Sequence, residues 1–171
     1  MTLEQDIEIF TGHCVFMRSI YLHGRSLFEI SSADDRALME QTAGIFFGDL
    51  SRVLVEYVVL QVCKITDPAR DPRKNDNHTI AFLLEHSDFS SDPLTLKRLS
   101  DLHDKLLAFR KKLLPARNKL ISHSDRDSIL AGLQLGAASD EEWNQFWLDL
   151  QDVICIMRKK AMGGPPTLMP C

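Results

Sequence analysis

Apolar residues recur at every third or fourth position along most of this chain, and no long stretch alternates with a period of two. Spacings of three and four place apolar side chains on one face of an α-helix, whereas a strand needs a period of two. The clearest run is Leu99, Leu102, Leu106, Phe109, Leu113, Ala116 and Leu120. The pattern predicts an all-α protein, an antiparallel up-and-down bundle of four to five helices.

Capping residues and prolines divide this pattern into helices. Thr2, Ser32 and Ser139 each precede an apolar helical run, and the Asp92-Pro93 pair opens another. Residues 67–78 are rich in Pro, Asn and charged residues and predict a long loop. The predicted helices are Leu3–Ile30, Ala33–Thr66, Thr79–His86, Asp92–Ser122 and Ser139–Lys160.

Length and composition favour one domain. The chain has 171 residues, 44% of them hydrophobic, and we expect a single domain over residues 1–161 with a disordered tail over residues 162–171. The four cysteines form no CxxC pair, and the N-terminal MTLEQDIEIF lacks the basic residues of an export signal, so we expect a cytoplasmic protein. The most apolar run, Val53–Ile65, contains Glu56 and Lys64, which predicts a buried helix and no contact with membranes.

Charge is distributed unevenly along the chain. The formal net charge is −4, yet eight basic residues and only two acids lie between Lys97 and Lys119. Eight positive and two negative charges give this segment a net charge of +6, so the rest of the chain carries −10. A basic helix on an acidic body can attract a polyanion. A solvated helix face is the alternative interpretation.

The sequence contains no common catalytic motif. There is no HExxH, no Cys/His cluster with metal-ligand spacing and no glycine-rich phosphate loop, so we expect neither a metal nor a cofactor. Arg117, Asn118 and His123 remain, beside basic residues and without a nearby nucleophile. This set suits phosphoryl transfer in which the substrate supplies the nucleophile, as RNA does with its 2′-hydroxyl. Two other Arg–His pairs have similar spacing, so a structural role for His123 is the competing interpretation.

The stretch LPARNKLISHSD resembles the R-x(4–6)-H signature of the HEPN superfamily, in which the residue after the arginine is commonly Asn, Asp or His. The helix end at Thr66–Pro68 and the short helix after a polar loop make the chain similar to the AbiU-like branch of these proteins. The resemblance covers about Leu38–Asp125. It implies a helical bundle that dimerises. Many HEPN proteins are metal-independent endoribonucleases of toxin–antitoxin, abortive-infection or other defence systems, while others have lost catalysis.

By this resemblance Arg117, Asn118 and His123 are the catalytic residues of an RNase that acts as a homodimer and leaves 2′,3′-cyclic phosphate ends. RNA is then the expected partner, with an antitoxin protein as a further one. The basic residues close to the site are the expected contacts to RNA phosphates. They are Arg110, Lys111, Lys112 and Lys119. The alternative is a non-catalytic HEPN-like module whose helices bind a partner protein or a nucleotide.

Overall fold

The computed structural model describes residues 2–118 and 138–163. Five α-helices make up most of this part of the chain: α1 (Leu3–Gly24), α2 (Ala33–Ile65), α3 (Ile80–His86), α4 (Pro93–Ala116) and α5 (Asp140–Met162). A single π-helical turn, Arg25–Glu29, follows α1 directly. Within these ranges the only β-type pairing is an isolated bridge between Arg70 and Asp76. The all-α prediction is therefore confirmed.

Side-chain caps fix where the helices begin. Thr2, Ser32 and Ser139 each accept a hydrogen bond from the backbone N–H three residues later, and the side chain of that third residue accepts one from the N–H of the capping residue. Asp92 caps α4, with Pro93 in the first turn. These bonds satisfy N–H groups that have no partner within the helix. The predicted starts of these four helices are confirmed.

One hydrophobic core joins all five helices. α4 packs along α5 and α2, and α1 packs against α2, α3 and α5. Five members of the apolar run on α4 are buried: Leu99, Leu102, Leu106, Phe109 and Leu113. The matching face of α5 is buried too, through Phe146, Trp147, Leu150, Val153, Ile154 and Met157. Each such side chain stabilises the fold by about 1.5–3 kcal/mol, so this contact holds α4 firmly in place.

The two halves of α2 have different environments. The last two turns enter the core through Val58, Val59, Val62, Cys63 and Ile65. No residue from 33 to 57 is buried, and Ala43 leaves the helical region with φ −160° and ψ 57°. Val53 and Val55 are 58% and 61% exposed. The prediction of a buried helix over Val53–Ile65 is therefore right only for its C-terminal part.

Several predictions concern residues outside the described ranges. They include the roles of Lys119 and His123, the extension of the fourth helix to Ser122, and the tail beyond Gly163. Among the helices that the structure does describe, none combines the length and the apolar character needed to cross a bilayer.

Truncation of a leucine on α5 tests the packing of this helix. Leu150 is fully buried, and Leu148 on the same helix is 57% exposed. We expect Leu150→Ala to lower the free energy of unfolding by about 2–5 kcal/mol, because it removes buried methyl groups and leaves a cavity. Leu148→Ala is the matched control and should cost less than about 1 kcal/mol. Urea denaturation measures both values, and equal losses would mean that α5 packs through another face.

Candidate functional site

Arg117 marks the C-terminal end of α4. The helix ends at Ala116, and the Arg117 backbone N–H donates to the carbonyl oxygens of Leu113 and Leu114. The Arg117 side chain is half-buried, and its Nη1 donates to Oδ1 of Asn118 over 3.0 Å. A guanidinium has five N–H donors, so this bond orients Arg117 and leaves donors for an anion. The structure thus brings together two of the three predicted catalytic residues, and His123 lies outside the described ranges.

A second arginine lies on the same face of α4. Arg110 precedes Arg117 by seven residues, close to two helical turns. It forms an ion pair with Asp67, which follows the end of α2, and the two side chains are only 20% and 27% exposed. This pair ties the C-terminal end of α2 to the last turns of α4.

Cys63 lies buried in the last turn of α2, beside this end of α4. Burial raises the pKa of its thiol, while the positive charges of Arg110 and Arg117 act in the opposite direction. The ends of α2 and α4 therefore form a site with two arginines, one held by Asp67 and the other by Asn118.

The cations of α4 are neutralised more than the sequence suggests. Of the seven basic residues from Lys97 to Arg117, all within the described ranges, four form ion pairs with acids on other elements. The pairs are Arg98–Asp152, Lys105–Asp149, Arg110–Asp67 and Lys112–Glu142. Three of these acids lie on α5. These acids lie outside the segment over which the charges were counted, because they are distant from α4 in sequence.

The four predicted RNA contacts consequently differ in their surroundings. Arg110 and Lys112 are engaged in ion pairs. Lys111 is exposed and has no ion pair within the part of the chain that the structure describes. Lys119 lies outside that part. Asp67 is a further residue of this site, and nothing in the sequence distinguishes it from the other polar residues of the loop 67–78.

The comparison with known families identifies the chain. Residues 8–154 match the model of the HEPN_AbiU2 family, described as AbiU2. The match spans most of the 171 residues, and the chain belongs to this family. It confirms the AbiU-like resemblance and extends it to α1 and most of α5. Neither a curated protein nor a solved structure matches the chain significantly.

The Asp67–Arg110 pair can be tested against a more exposed pair of the same chemistry. Asp67→Asn leaves a largely buried guanidinium without its carboxylate, and we expect a loss of about 1–3 kcal/mol in the free energy of unfolding. In the control, Asp152→Asn removes the partner of Arg98, where the side chains are 62% and 48% exposed. That loss should stay below about 1 kcal/mol. Equal losses in urea denaturation at neutral pH would show that the Asp67–Arg110 pair does not fasten α2 to α4.

Proposed function

We propose that this protein is a metal-independent endoribonuclease of the HEPN type that acts as a homodimer in a toxin–antitoxin or abortive-infection system. The observation that carries the proposal is the pair of arginines at the joined ends of α2 and α4. Arg117 is oriented by Asn118, and Arg110 by Asp67. Arg117 keeps guanidinium donors for a non-bridging oxygen of a phosphodiester, and Arg110 lies two helical turns before it on the same face of α4. Membership of the HEPN_AbiU2 family supports the same reading.

The proposed chemistry divides between Arg117 and His123. Arg117 keeps its charge at all physiological pH values and presents a planar fork, so it holds the scissile phosphate and stabilises charge that develops on its oxygens. A histidine has an ordinary pKa of about 6.5 and exchanges protons near neutral pH. His123 would take the proton of the 2′-hydroxyl or give one to the 5′-leaving oxygen. The 2′-oxygen forms a bond to phosphorus while the P–O5′ bond breaks, and the 5′-oxygen leaves as a hydroxyl after it gains a proton. One product then ends in a 2′,3′-cyclic phosphate and the other in a 5′-hydroxyl.

The basic residues around this site contribute unequally to RNA affinity. Lys111 is exposed and lies next to Arg110, so it is well placed to contact a flanking phosphate, and Lys119 is the expected second contact. The charges of Arg110 and Lys112 are partly neutralised by their ion pairs with Asp67 and Glu142. Their contribution to affinity should therefore be smaller than that of free lysines.

A second candidate function is supported by a different observation. Residues 33–57 form a helical segment with exposed apolar side chains and no buried residue. Such a surface is typical of a protein-binding face. The alternative is therefore a non-catalytic HEPN module that binds a partner protein, such as an antitoxin. Cleavage assays separate the two functions.

Cleavage of a mixed RNA substrate in EDTA tests the catalytic proposal. We expect wild-type protein to cleave, and His123→Ala to be slower by about 10²–10⁴-fold, the usual contribution of a general acid or base. Arg117→Lys keeps the charge but loses the fork geometry, so it should be nearly as damaging as Arg117→Ala. Arg98→Lys is the control, since Arg98 lies on the same helix but contacts Asp152.

Two results would reject this mechanism. The first is a His123→Ala protein that cleaves as fast as wild type, and the second is a loss of activity in EDTA. A substrate with a 2′-deoxy sugar at the cleaved position should be inert, because it lacks the nucleophile.

The salt dependence of RNA binding tests the role of the lysines. Each lysine that contacts a phosphate adds close to one unit to the slope of log affinity against log salt concentration. Lys111→Ala with Lys119→Ala should reduce this slope by about two for a non-cleavable 2′-deoxy analogue and leave turnover at saturating RNA nearly unchanged. Lys97→Ala with Lys105→Ala is the control, because both residues lie on α4 at least twelve residues before Arg117. An equal loss of turnover in the first variant would assign these lysines to the chemical step.

A further inference from the structure

A cleft of about 510 Å³ lies beside the first turn of α1. The start of α1, the end of the loop 67–78 and the helix α3 form its walls, and we call it the α1–α3 cleft. Its volume is within the range of sites that hold small organic molecules. Neither Arg110 nor Arg117 lines it, so the cleft is distinct from the site described above.

The cap of α3 and two aromatic side chains position His78 in this cleft. Thr79 caps α3 by accepting a hydrogen bond from the Phe82 backbone N–H over 3.2 Å. The His78 ring packs edge-on against Phe10 and Phe82, with centroid distances of 5.9 and 6.1 Å. Phe10 is buried and lies one helical turn after Asp6 on the same face of α1. This packing holds the His78 imidazole beside the Asp6 carboxylate.

The Asp6 carboxylate lacks a donor within the described ranges. Asp6 is only 8% exposed. Its Oδ1 lies 3.6 Å from Nε2 of His78, which is too long for a hydrogen bond, and its carboxylate has no other contact with a polar side chain of the described residues. The His78 Nε2 atom is also buried and has no hydrogen-bond partner there. A buried carboxylate is costly unless it is paired, so these two groups require a further donor.

Two more side chains of the cleft offer acceptors. Nδ1 of His86 donates to the Phe82 carbonyl oxygen over 2.9 Å, because a carbonyl can only accept. In the neutral ring this leaves the lone pair on Nε2. Asn77 donates through Nδ2 to the Pro68 carbonyl oxygen over 3.0 Å, which leaves its Oδ1 to accept. A ligand that fits this cleft must therefore be rich in donors.

The charges and the apolar residues of the cleft define the ligand further. No lysine or arginine is among the described residues that line it. Asp76 is already paired with Arg70 over 3.2 Å, so Asp6 is the carboxylate left for a ligand. Leu3 and Phe82 add an apolar wall. An anion would meet both carboxylates, whereas an organic cation finds a counter-charge and a surface for its hydrocarbon part.

We propose that the α1–α3 cleft binds a small primary amine, with its ammonium group at Asp6 and its hydrocarbon part against Leu3 and Phe82. An ammonium group has three donors, which serve Asp6 and Nε2 of His78 together. The described residues contain no group of three side chains that could hold a metal ion, which leaves the organic cation. This site is additional to the ribonuclease function and rests on neither RNA binding nor cleavage.

Two compounds that differ in one group test the proposal on the wild-type chain. 2-Phenylethylamine and 2-phenylethanol share the same hydrocarbon part, and at neutral pH only the amine is charged. Imidazole proton–nitrogen NMR spectra follow the titration. The amine should bind at least about tenfold tighter, as a charge-assisted bond to a buried carboxylate implies. It should shift the signals of His78 and His86 and leave those of His23 unchanged, because His23 is seventeen residues from Asp6 along α1.

Either of two results in this titration would overturn the proposal. The first is equal affinity for the amine and the alcohol, which would mean that Asp6 needs no ligand charge because His78 itself carries the balancing proton. The second is the absence of binding up to about 10 mM amine, weaker than any specific site of this kind.

Substitution of Asp6 tests where the ammonium group lies. Asp6→Asn keeps the size of the side chain and removes its charge, so it should weaken binding of 2-phenylethylamine about tenfold or more. Glu4→Gln is the matched control, because Glu4 is exposed and lies in the same first turn of α1. It should change the affinity by less than about twofold. Equal losses in the two variants would show general attraction to an acidic surface and reject the site. The comparison of amine with alcohol needs no variant, so it holds even if Asp6→Asn lowers stability.

Discussion

The burial of the α5 aromatic face against α1 and α4 is the interaction on which the rest of this structure depends. Trp143 and Phe146 both contact the Phe109 ring of α4, and Trp147 lies 5.2 Å from the ring of Tyr21 on α1. Large aromatic side chains bury 150–250 Å² each and dominate the energetics of such a core. This contact fixes the direction of α4, and the direction of α4 decides where Arg110 and Arg117 lie.

The same packing also sets the electrostatics of the site. Because α5 lies along α4, Glu142, Asp149 and Asp152 face the lysines and arginines of that helix. Much of the positive charge of α4 is thereby balanced within the protein. The two arginines at the end of α4 do not share this arrangement. Arg110 is paired with Asp67 of the polar loop, and Arg117 is hydrogen-bonded to its neighbour Asn118.

Local sequence signals predicted the helices well, and long-range contacts could not be predicted. Caps act within three residues, so Ser32 and Ser139 identified helix starts directly. The apolar spacing of α4 and α5 identified their buried faces. The Asp67–Arg110 pair joins residues far apart in the chain, and no spacing rule anticipates it. Apolar spacing over Val53–Ile65 predicted a buried helix, yet Val53 and Val55 are exposed, because an apolar residue does not by itself decide whether a position is buried.

The environment of Cys63 gives the protein an internal reporter of the contact between α2 and α4. Its side chain is 1% exposed, and burial raises the pKa of its thiol, so alkylating reagents find little reactive thiolate in the closed state. Reaction requires the two helix ends to separate and admit water. The rate of alkylation at Cys63 therefore measures how often this end of the bundle opens.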